Sequence, residues 1–291
     1  MSPRPLAVFV ATLLLAACQH AAPRSTAPAD VAVVPAHDNL NAVLWVQTSA
    51  EYRALTTQAY RAATAQLDLA LRTPDWDALL PEERDAPAKG LPPAVILDID
   101  ETVLDNSPFQ ARLLRDGSEY DKTAWAAWVG EQKAEALPGV VDFARAASAR
   151  GVRLFYVSNR AQALQAATVA NLRAVGLPVP DQSVFLGLGT VVPGCTAQRD
   201  EKDCRRRLVS RGYRVLMQFG DQLGDFVRVG DQPAQARDAL LQTHGAWLGE
   251  RWWLLPNPTY GGWESAPFDN DWKRAPDARR AAKRQALRTG Q

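Results

Sequence analysis

The sequence predicts an α/β fold: a three-layer α/β/α arrangement built on a parallel sheet, with a small, mainly helical cap. Three observations predict it. Short apolar runs in the stretches 94–99, 152–157 and 213–219 read as strands buried on both faces, the kind found in parallel sheets. Segments with helical spacing alternate with them, and β-α-β-α order argues for parallel pairing. Each run leads straight into polar residues, and in open α/β sheets chemistry sits just beyond the carboxyl ends of the strands.

Taken in order, the chain begins with an address. Arg4 is a thin positive region, and Leu6 to Leu15 is an apolar run too short to span a bilayer as a mature helix. Leu15-Ala16-Ala17-Cys18 resembles a bacterial lipobox, so residues 1–18 read as a lipoprotein signal ending at a lipidated Cys18. The alternative is a soluble secreted protein cut at an Ala-x-Ala site. Gln19 follows the cysteine, which by resemblance to bacterial lipoproteins favours the outer membrane, with the protein periplasmic or surface-exposed. Residues 19–37, rich in Ala, Pro, Ser and Thr, read as a flexible tether. With Cys18 acylated, Cys195 and Cys204 remain, and an export address favours a disulfide between them.

Residues 38–272 read as the folded domain. Leu40 to Leu71 has helical spacing, with Ser49 as the cap of a second helix. Gly90-Leu91-Pro92-Pro93 turns the chain into the first strand. Residues 103–136 are the least regular part, carry Trp125 and Trp128, and stand where a cap would grow. Val140 to Ala149 is amphipathic and ends at Gly151. The strand 152–157 runs into Ser158-Asn159-Arg160, and a helix over 161–175 ends at Gly176. Val184 to Gly187 reads as a short strand, 189–200 as a loop and Glu201 to Ser210 as a basic helix. The strand 213–219 runs into Gly220-Asp221-Gln222-Leu223-Gly224-Asp225-Phe226. Trp252 to Leu255 is a last strand, and 273–291 a basic surface helix or frayed tail.

On a Rossmann-like, doubly wound sheet the three strand ends meet on one rim. That gathers Asp98, Asp100, Asp221 and Asp225 with Thr102, Ser158, Asn159 and Lys202. Clustered carboxylates repel and need a cation, and hard oxygen ligands suit Mg²⁺. One carboxylate can attack phosphorus, a second can move the proton, and Ser158 and Lys202 can hold phosphoryl oxygens. The formal net charge is +1, without the basic excess expected for binding a nucleic-acid polymer. Three histidines supply a histidine-based mechanism poorly. Asp-x-Asp-x-Thr alone is a weak signal; three motifs in order after three strands make a strong one.

Asp98-Ile99-Asp100-Glu101-Thr102, Ser158-Asn159-Arg160, Lys202 and Gly220-Asp221-x-x-x-Asp225 resemble the four motifs of the haloacid dehalogenase (HAD) superfamily of phosphatases. The lipobox, Trp125-x-x-Trp128 and Asn257-Pro258-Thr259-Tyr260-Gly261-Gly262-Trp263 resemble, more narrowly, the bacterial class C acid phosphatases, the lipoprotein 5′-nucleotidase family. The resemblance implies an Mg²⁺-dependent phosphomonoesterase acting on nucleoside monophosphates or similar small phosphates through an aspartyl-phosphate. Asp98 would be the nucleophile and Asp100 the acid/base, its carbonyl on the metal with Asp98 and Asp221, and Asp225 in support. Lys202 would neutralise phosphate charge, with the Lys202-x-x-Arg205 register left open by the neighbouring Arg206 and Arg207. Thr102, Ser158 and Asn159 would bind the phosphate, and Trp125 and Tyr260 would stack on the base. A homodimer is implied by the same resemblance. The alternatives are a phosphotransferase of the same superfamily and a non-enzymatic ligand-binding surface lipoprotein. The blander reading of the arginine run 205–207 is a solvated face, of Trp128 a core residue, and of Gly230-Asp231 a turn.

Overall fold

The computed structural model describes residues 36–196, 200–230 and 233–290. The lipobox with Cys18, nearly all of the tether and Asp231 lie outside the described residues. Among the described residues no helix is long and apolar enough to cross a membrane.

Helix α1 (Leu40–Thr48) passes into α2 (Ala50–Arg72) at Ser49, whose hydroxyl accepts a hydrogen bond from the Tyr52 N–H at 3.0 Å. That cap satisfies an orphan donor of the helix start and breaks what reads as one helical period into two helices. Strand β1 (Pro93–Leu97) is followed by the short β2 (Leu104–Asp105), then α3 (Ser107–Asp116), α4 (Lys122–Glu131) and β3 (Glu135–Ala136). β2 and β3 form a separate antiparallel pair. The stretch 103–136, the least regular in sequence and the place expected for a mainly helical cap, is mostly helix. Its order comes from local caps: Gly117 closes α3 in the left-handed region at φ 59°, and the Asp121 carboxylate accepts from the N–H groups of Thr123 and Ala124 at the start of α4.

Helix α5 (Val140–Ala149) leads to β4 (Arg153–Ala161), then α6 (Gln165–Ala174) and β5 (Phe185–Leu188). β4 does not stop at Val157: Ser158, Asn159 and Arg160 continue the strand rather than following it. Helix α7 (Asp203–Ser210), β6 (Arg214–Gly220), α8 (Ala234–His244), β7 (Trp252–Leu254), α9 (Gly262–Ser265) and α10 (Pro276–Gln285) complete the chain. α8 has no clear apolar period and is not evident from sequence.

The main sheet has the order β5-β4-β1-β6-β7, with every neighbouring pair parallel. β1 is central, and Val95, Leu97 and Ile99 are fully buried. α2 packs on α5 and against β6 and β7, while α7 lies against β4 and β6. Tyr60 of α2 stacks on Phe219 of β6 with centroids 5.1 Å apart, and Phe143 of α5 sits 4.6 Å from the same ring. The Tyr60 hydroxyl donates to the Thr102 carbonyl at 2.7 Å, so the core reaches the turn that follows β1. Gly139 makes the α2–α5 approach feasible: its φ is 91°, and a Cβ there would lie 3.2 Å from the Tyr60 Cβ.

Cys195 and Cys204 are joined by a disulfide that ties the loop before α7 to the helix's first turn. The loop it closes is short, so replacing both cysteines by serine should cost about 2–3 kcal/mol by chain entropy. A fall in denaturant midpoint, matched by reductant treatment of the wild type, would check this; an unchanged midpoint would contradict it.

Candidate active site

The rim at the carboxyl ends of β4, β1 and β6 collects most of the predicted site. Asp98 follows β1 directly, and its N–H donates to the Phe219 carbonyl at 2.9 Å, which extends the β1–β6 ladder by one bond. Asp221 follows β6, and Asp225 closes a short 3₁₀ turn in which its carboxylate accepts from the Gln222 N–H at 2.9 Å. Gly220 is required by this turn, because a Cβ there would sit 2.3 Å from the Asp225 Cβ. Carboxylate oxygens of Asp98, Asp221 and Asp225 lie within 4.8 Å of one another.

Lys202, the residue just before α7, is buried against two of them. Its Nζ donates to Asp225 Oδ1 at 2.6 Å and to Asp98 Oδ1. Burial opposes the Lys202 charge, but Asp225 and Asp98 outweigh it and raise its pKa, so the ammonium persists. Burial pushes the Asp98 carboxyl well up; Lys202 opposes this, and Asp225 and Asp221 add to it. Asp221 is pushed up to about 6 by burial and by Asp225, against hydrogen bonds from Asn257 and Gln222. One ammonium thus contacts a cluster of three buried carboxylates. Hard oxygen donors with negative charge left over fit a divalent cation.

Asp100 is not part of that cluster. Its Oδ1 accepts from Arg160 Nε and Asn106 Nδ2, both at 2.9 Å, and pairs with Arg160 Nη2 at 2.8 Å. Among the described residues its Oδ2 meets only the Ser158 hydroxyl, at 3.3 Å. Two carboxylates two residues apart are therefore divided, one toward Lys202 and one toward Arg160. Ser158 is fully buried, so its hydroxyl serves Asp100 here. Asn159 is exposed, and its Oδ1 accepts from Arg205 Nη2 at 2.6 Å. Thr102 is also fully buried beneath the rim, its hydroxyl 3.4 Å from Asp221 Oδ1.

The arginine run is only partly a solvated face. Arg205 and Arg206 are buried, and Arg207 alone is half-exposed. Arg205 donates to the Ser158 carbonyl at 2.5 Å as well as to Asn159, bracing β4. Helix α7 thus turns its basic stripe inward, which periodicity alone cannot reveal because arginines count as polar.

Trp128 is buried, its indole N–H donating to Asn106 Oδ1 at 2.8 Å. Trp125 is half-buried, edge-on to Phe109 at 5.1 Å, with the Arg160 guanidinium 5.5 Å from its ring centre. It therefore stands beside the guanidinium that holds Asp100. Tyr260 is half-buried, and its hydroxyl is hydrogen-bonded to Glu101 Oε2 rather than left free in an exposed loop. Glu101 adopts φ 55°, unusual for a non-glycine residue, and also accepts from the Asn106 N–H at 2.9 Å. Gln222 completes the latch: its Nε2 donates to Asp221 Oδ2 at 2.8 Å and to the Tyr260 carbonyl at 3.1 Å. Asn257 Nδ2 donates to the same Asp221 oxygen at 2.8 Å. Arg160, Asn106, Gln222 and Asn257 carry no role in the sequence reading. Arg160, Gln222 and Asn257 lie inside the motif stretches themselves, and Asn106 only near one.

A family model described as HAD superfamily, subfamily IIIB (acid phosphatase) matches residues 9–263. Among solved structures, the class C acid phosphatase of Bacillus anthracis is 33% identical, with a TM-score of 0.75 over 87% of this chain and 98% of that one. The same enzyme solved with tungstate bound matches with the same figures. The stem 31 kDa glycoprotein of Glycine max is 27% identical over 165 residues, 57% of this chain and 58% of that protein. Acid phosphatase 1 of Solanum lycopersicum is 26% identical over 165 residues, 57% of each. The chain thus spans somewhat more than half the length of these curated relatives, and nearly the whole of the solved bacterial one. It belongs to the acid phosphatases of subfamily IIIB of the HAD superfamily.

Proposed function

We propose that the protein is an Mg²⁺-dependent phosphomonoesterase that hydrolyses small phosphomonoesters, nucleoside monophosphates among them, through an aspartyl-phosphate at Asp98. The carrying observation is the separation of two neighbouring acids: Asp98 on Lys202 in a carboxylate cluster, and Asp100 held apart by Arg160 and Asn106. A nucleophile and a proton carrier need different surroundings, and these two have them.

Asp98, Asp221 and Asp225, with the Asp100 carbonyl, would hold Mg²⁺, which when bound supplies positive charge for the phosphoryl oxygens. Lys202 orients the Asp98 carboxylate and neutralises part of the incoming charge. Asp98 attacks phosphorus as the ester P–O bond breaks, and Asp100 gives its proton to the leaving oxygen. Asp100 Oδ2 suits that proton, since Oδ1 is already occupied by Arg160 and Asn106. Water then loses a proton to Asp100 and attacks the aspartyl-phosphate, releasing phosphate and restoring Asp98. Trp125, beside Arg160 and in the cluster with Phe109 and Tyr120, supports an aromatic platform for a flat substrate on the α3–α4 side. Tyr260, in the 257–262 loop, can offer its ring from the other side while its hydroxyl stays on Glu101. The disulfide and the lipobox together support export to an oxidising compartment with a lipid anchor at Cys18.

Asp98→Asn should abolish turnover of p-nitrophenyl phosphate at saturating Mg²⁺, a loss of at least about 10³-fold; near-normal turnover would sink the mechanism. Product assays with glycerol present should yield free phosphate, whereas dominant glycerol phosphate would indicate phosphotransfer. Tyr260→Ala should raise KM for nucleoside monophosphates more than for p-nitrophenyl phosphate, and equal effects would remove the stacking role. Asp221 has a folded pKa of about 6, above its unfolded value, so its protonation favours the fold as pH falls. The cation-free protein should therefore gain Tm from pH 7 to pH 5. Mg²⁺ should add more to Tm at pH 7 than at pH 5, and a pH-independent increment would contradict the cluster's role.

A further inference from the structure

A second buried ion pair lies one layer behind the carboxylate cluster. Glu83 ends the 3₁₀ turn Pro81–Glu83, and Arg206 is in the first turn of α7; their side chains are 6% and 0% exposed. Arg206 Nε donates to Glu83 Oε2 at 2.7 Å and Nη2 to Oε1 at 2.5 Å, a bidentate pair. The remaining nitrogen, Nη1, donates to the carbonyls of Gly224 and Asp225 at 3.1 and 3.0 Å. The Arg206 N–H donates to the Lys202 carbonyl at 3.0 Å. One residue is thus bonded through its backbone to Lys202 and through its side chain to the peptide of Asp225. Those are the two residues whose side chains meet at 2.6 Å in the site.

We propose that the Glu83–Arg206 pair is a positioning device that sets the Asp225 carboxylate against Lys202 and the cation cluster. Asp225 has little freedom of its own. Its side chain is pressed against Gly220, its Oδ2 is taken by the Gln222 N–H, and its Oδ1 by Lys202. The peptides on either side of Asp225 are held on their N–H side by the turn, Asp225 N–H donating to the Gln222 carbonyl and Phe226 N–H to the Leu223 carbonyl, both at 3.1 Å, and on their carbonyl side by Arg206, which grips both. Glu83 fixes the guanidinium plane so that its third edge faces those carbonyls. Lysine at 206 could not do this, because an ammonium lacks the planar fork that serves a carboxylate and two carbonyls together. Stability alone explains the pair poorly, since well-packed apolar residues often replace buried pairs at no cost. Arg207, donating to the Glu82 carbonyl at 2.6 Å, and Arg211, donating to Asp85 at 2.7 Å, keep the 81–85 segment on α7 from outside.

The catalytic readout rests on the phosphatase reading above, so the test carries a second one. Glu83→Gln keeps the shape and loses the charge; Arg206→Lys keeps the charge and loses the fork. Each is compared with wild type by Tm, by calorimetric Mg²⁺ binding without substrate, and by kcat and KM for p-nitrophenyl phosphate. Supports of metal ligands typically contribute about 10–100-fold to metal affinity or activity. The expected result is a loss in that range in Mg²⁺ affinity and kcat, with KM nearly unchanged at saturating Mg²⁺. Should Arg206→Lys fail to fold, Glu83→Gln decides alone. Variants that lose Tm but match wild type in Mg²⁺ affinity and kcat overturn the proposal, as does a wild type that binds no Mg²⁺. If wild type binds Mg²⁺ but hydrolyses no phosphomonoester, the functional reading falls while the calorimetric comparison still decides this one.

Discussion

Three carboxylates buried around one ammonium are the constraint that organises this molecule. Asp98, Asp221 and Asp225 converge on a point where, among the described residues, Lys202 is the one contacting cation, bonded to Asp98 and Asp225. Such a cluster costs free energy that the fold must offset elsewhere. The offset is visible in the surroundings. β1 and β6 are buried apolar strands paired in parallel, so their ends cannot drift. Gly220 has no side chain where Asp225 must pass, and Gln222 and Asn257 both donate to Asp221. Behind them Arg206, paired with Glu83, holds the carbonyls of Gly224 and Asp225. The unbalanced negative charge lies at the rim, where the donor set fits a divalent cation.

Asp100 escapes that cluster because β4 brings a second cation to the same rim. Arg160 is buried, and its guanidinium faces Asp100 with Asn106 beside it and the Trp125 ring close by. Asp100 and the aromatic side of the rim are therefore linked through one guanidinium. On the other side, the Tyr260–Glu101 contact ties the 257–262 loop to the turn after β1, and Gln222 ties it to the turn after β6. The rim is thus flanked by two elements distant in sequence, each fastened to residues at a strand end.

The sequence by itself determined the layered fold and the strand ends that carry Asp98, Asp100, Asp221 and Asp225, because each follows from local pattern. An apolar run of strand length must be buried, and acids at its end must lie on the rim. Periodicity likewise sufficed for α2 and α5, whose apolar faces are needed to cover the sheet. It failed where order comes from caps and turns rather than from a stripe, as in α3, α4 and α8, and where the buried face is charged, as in α7. Only the tertiary structure decided which acid meets which base. That Lys202 rather than a neighbouring arginine reaches Asp98, that Asp100 turns to Arg160, that the Tyr260 hydroxyl is held by Glu101, and that Glu83 pairs with Arg206 all depend on contacts between residues 60 to 159 positions apart. Electrostatic partners are chosen by distance in space, and a single chain read in order contains no measure of that distance.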